Sequence, residues 1–226
     1  MHIAILGTGR VGRTLAAAFD EQGHDVTIGT RDVAATMART EPDRFGSPPF
    51  HDWAAEHPGV SVASFGDAAR QGELVVNATS GGVSLDVLRQ AGAENLAGKV
   101  LVDVANPLDG SHGFPPTLLV KDTDSLAEQI QRAFPEARVV KTLNTMTASV
   151  MVDPKQVGGG DHTVFVSGDD AGAKATVTDL LRRFGWTDII DLGDLSSARG
   201  AEMLLPIWLR LRGTFGGSSF NFKIVR

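Results

Sequence analysis

The chain has 226 residues and a formal net charge of −6 at pH 7, with 42% hydrophobic and 21% charged residues. This length suits one well-buried domain with a small appended lobe, and an acidic balance without a basic block argues against nucleic acid as a partner. Cysteine and tyrosine are both absent, which excludes disulfides, thiolate chemistry and any reductase mechanism that needs a tyrosine general acid.

The beginning of the chain carries no targeting pattern. The first apolar residues run directly into a glycine-rich loop, without the basic segment and cleavage site of a signal peptide. No apolar run approaches the roughly 18 residues of a membrane-spanning helix. We therefore expect a cytoplasmic protein that does not bind membranes.

Apolar runs and helical patterns alternate along the first two thirds of the chain. Strands are predicted over residues 2–6, 25–29, 60–64, 73–78, 99–105 and 138–143, and helices over residues 11–22, 32–40, 83–91 and 125–134. Residues 41–59 and 109–124 are predicted to be loops. Ser125 is expected to cap the last of these helices, with Glu128 as its capping-box partner. This alternation predicts a Rossmann-type, doubly wound and mainly parallel α/β sheet.

The pattern becomes less regular after residue 150. Strands are predicted over residues 162–167 and 187–192, with an edge strand over 220–225, and helices over residues 171–184 and 195–212, the second continuing through Pro206. Turns are expected at residues 158–160 and 216–217. We divide the chain into a nucleotide-binding domain of residues 1–150 and a small mixed α/β lobe of residues 151–226, which would complete a second site and supply a dimer interface.

A glycine-rich motif lies between the first predicted strand and the first predicted helix. The pattern G-x-G-x-x-G is formed by Gly7, Thr8, Gly9, Arg10, Val11 and Gly12. In this context the first glycine permits a tight turn, the second lets the backbone approach a pyrophosphate, and the third lets helix and strand pack closely. The helix N-terminus then offers free N–H groups to the phosphates. The motif therefore predicts dinucleotide binding.

The end of the second strand indicates which dinucleotide is bound. NAD-specific folds place an acidic residue about 20 residues past the glycines, where it holds the ribose 2′-hydroxyl. Here the strand ends at Thr30 and Arg31 instead, a hydroxyl and a guanidinium that can bind a 2′-phosphate. Asp32 is expected to cap the next helix, although it could also take the acid's role. We predict NADP(H) rather than NAD(H).

Other predicted strands end in small or amide-bearing residues. Because ligands of open α/β sheets lie outside the carboxyl ends of the strands, these ends should line the same crevice. Ala78 and Thr79 follow one strand, Asn106 follows the next, and Asn144 follows the strand after that. We interpret them as candidates for the ribose and nicotinamide end, or else as simple strand-terminating turns.

Several segments, in order along nearly the whole chain, resemble the NADPH-dependent reductases of coenzyme F420, a deazaflavin. They are residues 7–12, 30–31, 141–145 (KTLNT), 167–170 (SGDD) and 191–195 (DLGDL). The cytosolic domain of the six-transmembrane metalloreductases is also similar. The resemblance implies direct hydride transfer between NADPH and the deazaflavin, with the protein supplying position. It implies nucleotide contacts from Thr8, Arg10, Val11, Thr30 and Arg31, and places Ala78, Thr79 and Asn144 near the nicotinamide, where Asn144 and Thr79 are positioning candidates.

Three departures from that family lie where a second ring would bind. Asn144 stands where archaeal members have histidine, Leu205 replaces a threonine before Pro206, and residues 78–82 replace a bulkier aromatic loop. The acceptor can therefore be coenzyme F420, a flavin or another small planar molecule, and a non-catalytic NADP(H)-binding redox sensor is a further alternative. An imine or hydroxy-acid reductase is disfavoured because the C-terminal residues mix strands and helices.

The remaining polar candidates favour structural roles. His112 lies in a predicted loop and is more often a surface residue than an acid or base. His51 and His57 flank Trp53 without ligand-like spacing, and Asp169 and Asp170 should cap a helix, so no metal site is expected. The apolar helix after residue 195 could instead form a homodimer seam, with Trp208 and Leu209 buried between subunits.

Overall fold

Runs of aliphatic and β-branched residues form the strands of this protein. A computed structural model describes residues 1–42 and 46–226. The described strands are His2–Leu6 (β1), Asp25–Thr30 (β2), Val60–Ser64 (β3), Leu74–Asn77 (β4), Val100–Asp103 (β5), Leu108–Asp109 (β6), Thr117–Leu118 (β7), Arg138–Thr142 (β8), Thr163–Ser167 (β9) and Asp188–Asp191 (β10).

Helices connect most of these strands. They are Arg10–Glu21 (α1), Val33–Met37 (α2), Phe50–Glu56 (α3), Phe65–Gln71 (α4), Ser84–Ala91 (α5), Ala93–Leu96 (α6), Leu126–Ala133 (α7), Ala148–Val152 (α8), Ala171–Arg183 (α9), Ala198–Met203 (α10) and Leu205–Phe215 (α11). Short 3-10 turns lie at Gly81–Val83, Pro154–Gln156, Gly158–Gly160 and Leu195–Ser197. Among the described residues, no helix combines the length and apolarity needed to cross a bilayer.

Eight strands form one sheet in the order β10-β9-β8-β5-β4-β1-β2-β3, while β6 and β7 form a separate small hairpin. Neighbours in the large sheet are parallel, except that β9 runs antiparallel to β8. The order 3-2-1-4-5 followed by β8 is that of a doubly wound dinucleotide fold. The predicted fold class, a mainly parallel Rossmann-type sheet, is confirmed.

Alternate residues of the central strand supply two cores, one on each face of the sheet. Ile3 and Ile5 of β1 belong to the core that packs against α1, α8 and α9, whereas Ala4 and Leu6 belong to the core under α4, α5 and α7. All four residues are fully buried. A strand covered on both faces has to be apolar throughout, which explains the continuous runs in the sequence.

The structure corrects the prediction of a loop over residues 41–59. Residues 50–56 form α3, with Pro49 at its N-cap, Asp52 in its first turn and the buried Phe50 facing the core. Proline fits the start of a helix because its missing N–H is not needed there. Residues 43–45, which the same prediction covered, lie outside the described residues. The predicted loop over residues 109–124 contains β7 and the second residue of β6, and these two strands pair as a hairpin.

Two C-terminal predictions are also wrong. The helix predicted over residues 195–212 is divided at Leu204 into α10 and α11, because Pro206 is accommodated in the first turn of a new helix. Residues 220–225 form no strand within the described part of the chain. They contact β9 only locally, where the Thr163 N–H donates to the Phe222 carbonyl (2.9 Å) and the Asn221 amide donates to the Thr163 carbonyl (3.1 Å).

The caps predicted at Asp32, Ser125 and Asp170 are confirmed, whereas Asp169, also predicted as a cap, accepts from the Leu195 N–H instead. Asp32, Ser125 and Asp170 each accept a hydrogen bond from the backbone N–H three residues ahead. Glu128, however, does not act as the capping box predicts. Its carboxylate accepts from the Ser125 hydroxyl (2.7 Å) and from two nitrogens of Arg199 in α10 (2.8 and 2.5 Å). This bidentate pair joins α7 to α10.

The C-terminal residues continue the large sheet rather than beginning a new one. β9, α9 and β10 extend it at the β8 edge, and Trp186 packs in the same core as Phe19. The Trp186 indole N–H donates to the Met151 carbonyl (2.9 Å). The division into residues 1–150 and 151–226 stays a prediction.

We predict that Glu128→Gln lowers the stability of the fold at neutral pH and makes that stability less dependent on pH. The Arg199 guanidinium holds the pKa of Glu128 below its ordinary value of 4.5. The pair therefore stabilises the fold above pH 4.5, and this stabilisation is lost as the pH falls through the lower folded pKa. Urea unfolding between pH 7 and pH 3 should show a lower stability at neutral pH and a shallower acid loss in the variant.

The control is Asp86→Asn, which removes the exposed pair between Asp86 and Arg89. Exposed pairs contribute about 0–1 kcal/mol, so this variant should follow the parent protein at every pH. Identical pH profiles for Glu128→Gln and Asp86→Asn would show that the pair between α7 and α10 adds nothing.

Candidate functional site

A cleft of about 400 Å³ lies at the carboxyl ends of β1, β2 and β4. Seven of the predicted nucleotide-binding residues line it, namely Gly7, Thr8, Gly9, Thr30, Arg31, Ala78 and Thr79. Asp32, Ala35, Thr36, Arg39 and Phe65 line its β2 side, and Ser80, Val83 and Val87 its β4 side. The parallel strands thus bring the predicted loop ends together at one edge of the sheet.

The three motif glycines meet different surroundings. Gly7 has φ 123°, and a Cβ there would lie 2.7 Å from the Ala78 carbonyl oxygen. At Gly12 a Cβ would lie 2.1 Å from the Gly7 carbonyl oxygen, closer than real Cβ contacts occur. At Gly9, by contrast, no described atom lies within 4 Å of the Cβ position. Gly7 and Gly12 are therefore needed by the fold, while Gly9 leaves open space in front of the cleft.

Helix α1 begins at that open space. Gly9 is its N-cap, and within the described residues no side chain caps it and no acidic residue lies in its first turn. Uncapped N–H groups and the positive end of the helix dipole favour an anion at this position. The open side of Gly9 lets a pyrophosphate reach them, so the cleft fits the dinucleotide that the motif predicts.

The β2 end of the cleft carries the features expected for a 2′-phosphate. Arg31 is exposed there, and the buried Thr30 hydroxyl lies 2.7 Å from that of Thr36. The carboxylate of Asp32 accepts from the Ala35 N–H (2.9 Å). Asp32 is therefore engaged as a helix cap, which leaves the positively charged groups to face a ligand.

Arg39 is a second cation in the same cleft, and it was not predicted. It lies just beyond α2, and its carbonyl accepts from His51 Nδ1 (3.2 Å). The spacing of residues 32, 35, 36 and 39 along one helical face is the signal that could have found it. No partner for the guanidinium of Arg31 or Arg39 is recorded in residues 1–42 and 46–226.

The predicted nicotinamide end is built on a chain of polar contacts. The Thr79 hydroxyl donates to Asn77 Oδ1 (2.7 Å) and lies 2.8 Å from the Ser84 hydroxyl. The Asn144 amide donates to Asn106 Oδ1 (3.1 Å) and to the Ala201 carbonyl (3.0 Å), and the Asn106 amide donates to the Asn144 carbonyl (2.9 Å). Asn144 is only 3% exposed. Neighbouring strands bring the two amides together outside the cleft lining, and their cofactor role stays a prediction.

The first two residues of α1 have different surroundings. Val11 is half-buried against the core, while Arg10 lines a separate cleft of about 530 Å³ that Trp53 and Arg13 also line. Arg13 joins the two surfaces: its Nε donates to the Thr8 carbonyl (2.8 Å) and its Nη1 to the Pro48 carbonyl (2.7 Å). Its guanidinium carbon lies 5.2 Å from the Phe50 ring centroid.

The other candidates lie elsewhere. His112 is exposed in the turn between β6 and β7, and Asp169 accepts from the Leu195 N–H (2.9 Å). His57 Nδ1 donates to the Trp53 carbonyl (2.7 Å). Within the described ranges, no group of three His, Cys, Asp or Glu side chains could hold a metal ion.

The two residues predicted to lie in a dimer interface already make contacts within the chain. Leu209 is buried in its own core contacts, and Trp208 packs against Phe220 with ring centroids 5.4 Å apart. The exposed apolar side chains of α11 are instead Ile207 and Phe215. The homodimer stays a prediction.

A buried charge cluster behind the strand ends was not predicted. Lys141 Nζ lies 2.8 Å from Asp103 Oδ2 and 2.9 Å from Glu202 Oε1, and all three side chains are at most 1% exposed. Burial raises the pKa of Glu202. Burial alone would lower the pKa of Lys141, but the two carboxylates outweigh it and raise that pKa. The sequence signal for this cluster is a lysine within a strand that is predicted to be buried. Lysine is almost never fully buried unless a charged group pairs with it.

The chain is similar to known proteins in sequence and in structure. Residues 2–107 match the family described as "NADP oxidoreductase coenzyme F420-dependent". The F420-dependent NADP reductase of Methanocaldococcus jannaschii is 31% identical over 159 residues, which cover 70% of this chain and 70% of that protein.

Two further proteins are similar over most of this chain. A crystal structure of a candidate F420-dependent NADP reductase from Arthrobacter sp. FB24 superposes with a TM-score of 0.96 at 64% identity, covering 99% of both chains. The metalloreductase STEAP3 of Rattus norvegicus is 29% identical over 211 residues. That match covers 91% of this chain, which spans only 37% of the length of STEAP3.

Two glycine variants separate folding from binding. We predict that Gly12→Ala destabilises the protein by about 1–3 kcal/mol, the usual cost of overpacking, because its Cβ would lie 2.1 Å from a carbonyl oxygen. Gly9→Ala has open space, so it should leave the melting temperature unchanged and weaken NADP(H) binding by blocking the pyrophosphate. Thermal unfolding and NADPH titration measure both effects. A Gly9→Ala variant with unaltered NADPH affinity would contradict this placement.

Proposed function

This chain belongs to the family of coenzyme F420-dependent NADP oxidoreductases, and from that premise we propose that it transfers a hydride between NADP(H) and coenzyme F420 or a similar planar acceptor. The observation that carries the proposal is the cleft itself, which runs from the uncapped N-terminus of α1 to two guanidinium groups at the end of β2. The residues that line it suit a pyrophosphate at the first position and a 2′-phosphate at the second.

The adenosine end supports NADP(H) by its charges. A 2′-phosphate beside Arg31 and Arg39 would receive charge-assisted hydrogen bonds from both side chains. Asp32, the acid in this part of the cleft, caps α2 through its Oδ1, which disfavours its use for holding an unphosphorylated ribose. The open side of Gly9 accommodates the pyrophosphate against α1. Each part of the nucleotide therefore has a chemically suitable partner in the cleft.

The nicotinamide end would contribute position rather than acid–base chemistry. NADPH supplies a hydride from its nicotinamide ring, which the acceptor takes up together with a proton. Ala78 and Thr79 close this end of the cleft, and the Thr79 hydroxyl is held by Asn77 and Ser84. Holding two reactants in register can by itself remove several kcal/mol from a barrier, about 7–11 in the best intramolecular cases. A chain without tyrosine or cysteine is suited to this mode of catalysis.

A flavin or another small planar acceptor is the second candidate. The buried Asn144 has its amide engaged by Asn106 and Ala201, so it offers little for recognition of one particular ring. Leu205, another of the three departures from the family, is also buried. These two positions support a broader acceptor range than the family name alone implies.

We predict that Arg31→Gln and Arg39→Gln each raise the dissociation constant of NADPH about ten-fold or more, because a hydrogen bond to a charged group contributes about 1.5–3 kcal/mol. The dissociation constant of NADH should not change, so the preference for NADPH should fall. Arg89→Gln, an exposed arginine outside the cleft, is the matched control. Preserved discrimination in both cleft variants would remove the electrostatic basis of the cofactor assignment.

Turnover with the acceptor is tested by mixing the protein with NADPH and oxidised coenzyme F420 and following the absorbance of both. We expect loss of the deazaflavin absorbance together with NADPH oxidation. Turnover with a flavin alone would assign the second candidate. Tight NADPH binding with no turnover on either acceptor would overturn the enzyme assignment in favour of a redox sensor.

A further inference from the structure

The buried cluster of Asp103, Lys141 and Glu202 connects parts of the protein that are distant in sequence. Lys141 Nζ donates to Asp103 (2.8 Å), to the Ala105 carbonyl (2.5 Å) and to Glu202 (2.9 Å). An ammonium group has three N–H donors, so all of them are used. Lys141 therefore ties β8 to the end of β5 and to helix α10 at one point.

One branch of this network reaches the cleft through Asp103. Its Oδ1 accepts from the Asn77 amide (2.8 Å), and Asn77 Oδ1 in turn accepts from the Thr79 hydroxyl (2.7 Å). Thr79 lines the cleft at its predicted nicotinamide end. Three consecutive contacts thus join the buried ammonium group to a side chain on the site surface.

A second branch fixes the two strand-end amides. Ala105, whose carbonyl accepts from Lys141, directly precedes Asn106. Ala201, whose carbonyl accepts from the Asn144 amide (3.0 Å), directly precedes Glu202. Asn106 and Asn144 are also bonded to each other. The positions of all three strand ends therefore depend on one cluster.

The cluster has an excess of negative charge, which backbone N–H groups compensate. Two carboxylates face one ammonium group, and the Glu202 carboxylate also accepts from the N–H groups of Leu126 (2.9 Å) and Ala127 (3.2 Å). These are the first residues of α7, where the helix dipole favours a negative charge. A buried ionic group of this kind is a poor source of stability compared with apolar packing, so its value lies in the geometry it imposes.

We propose that Lys141, held between Asp103 and Glu202, is a positioning residue that sets the geometry of the nicotinamide end of the cleft by locking the ends of β4, β5 and β8 to helix α10. The proposal rests on the proposed nucleotide site, but not on the identity of the acceptor. Its effect is confined to the nicotinamide end, because the network makes no contact with Arg31 or Arg39 at the adenosine end within the described residues.

The test uses Glu202→Gln, since Lys141→Met would leave two buried carboxylates unpaired and risks unfolding. Glutamine keeps the shape of glutamate and an oxygen for the α7 amides, while Lys141 and Asp103 remain a pair. Two ligands report on the two ends of the cleft: 2′,5′-ADP occupies only the adenosine end, and bound NADPH reports its nicotinamide environment by fluorescence. The matched control is Glu128→Gln, which disturbs the same α7–α10 interface outside the network.

We expect Glu202→Gln to bind 2′,5′-ADP as the parent protein does, while the nicotinamide fluorescence of bound NADPH shifts toward that of free NADPH. Where turnover is measured, kcat should fall about 10- to 100-fold, as expected for a small misplacement of reacting groups. Glu128→Gln should change neither readout. Equal weakening of both ligands, or a lower melting temperature with unaltered fluorescence and kcat, would assign the cluster a purely structural role.

Failure of the proposed enzyme activity and failure of the role proposed for Lys141 give different experimental results. A parent protein with a clear nicotinamide fluorescence signal but no turnover on F420 or flavin would overturn the enzyme assignment, and the effect of Glu202→Gln on fluorescence would still decide the role of the cluster. Weak NADPH binding by the parent protein, by contrast, would overturn both.

Discussion

Helix α1 has to begin directly against the end of β1, and this contact is possible because position 12 carries no side chain. Any Cβ at Gly12 would lie 2.1 Å from the Gly7 carbonyl oxygen. The close approach aims the uncapped end of α1 along the carboxyl edge of the sheet, where β2 and β4 also end. The proposed positions of the pyrophosphate, the adenosine and the nicotinamide all lie along that edge.

The strands and long helices could be predicted because their signals are local. A continuous apolar run indicates a strand that is buried on both faces. Helix starts are marked by Asp32, Ser125 and Asp170, whose side chains bond to the backbone N–H three residues ahead. The failures have physical reasons as well. The loop predicted over residues 41–59 is wrong because Pro49 begins a helix there, and the helix predicted through Pro206 is wrong because that proline lies in the first turn of a second helix. Residues 220–225 meet β9 at Thr163, where one backbone hydrogen bond to Phe222 forms instead of a continuous ladder.

The candidate site likewise contains residues that could be predicted from the sequence and residues that could not. The glycine loop, Thr30 and Arg31 were predictable because each follows a strand within a short motif. Arg39 was not, since it enters the cleft from beyond α2. The cluster around Lys141 was still harder to foresee, because its carboxylates come from residues 38 positions earlier and 61 positions later in the chain. Only the folded topology reveals such pairs.

Arg13 has a consequence of a different kind. By bonding to the carbonyls of Thr8 and Pro48 and covering the Phe50 ring, it couples the glycine loop to α3. Trp53 belongs to that helix, with its ring centroid 5.5 Å from that of Phe50. The Trp53 indole therefore lies next to the ring that Arg13 covers, so a displacement of Arg13 would change the surroundings of a fluorescent group.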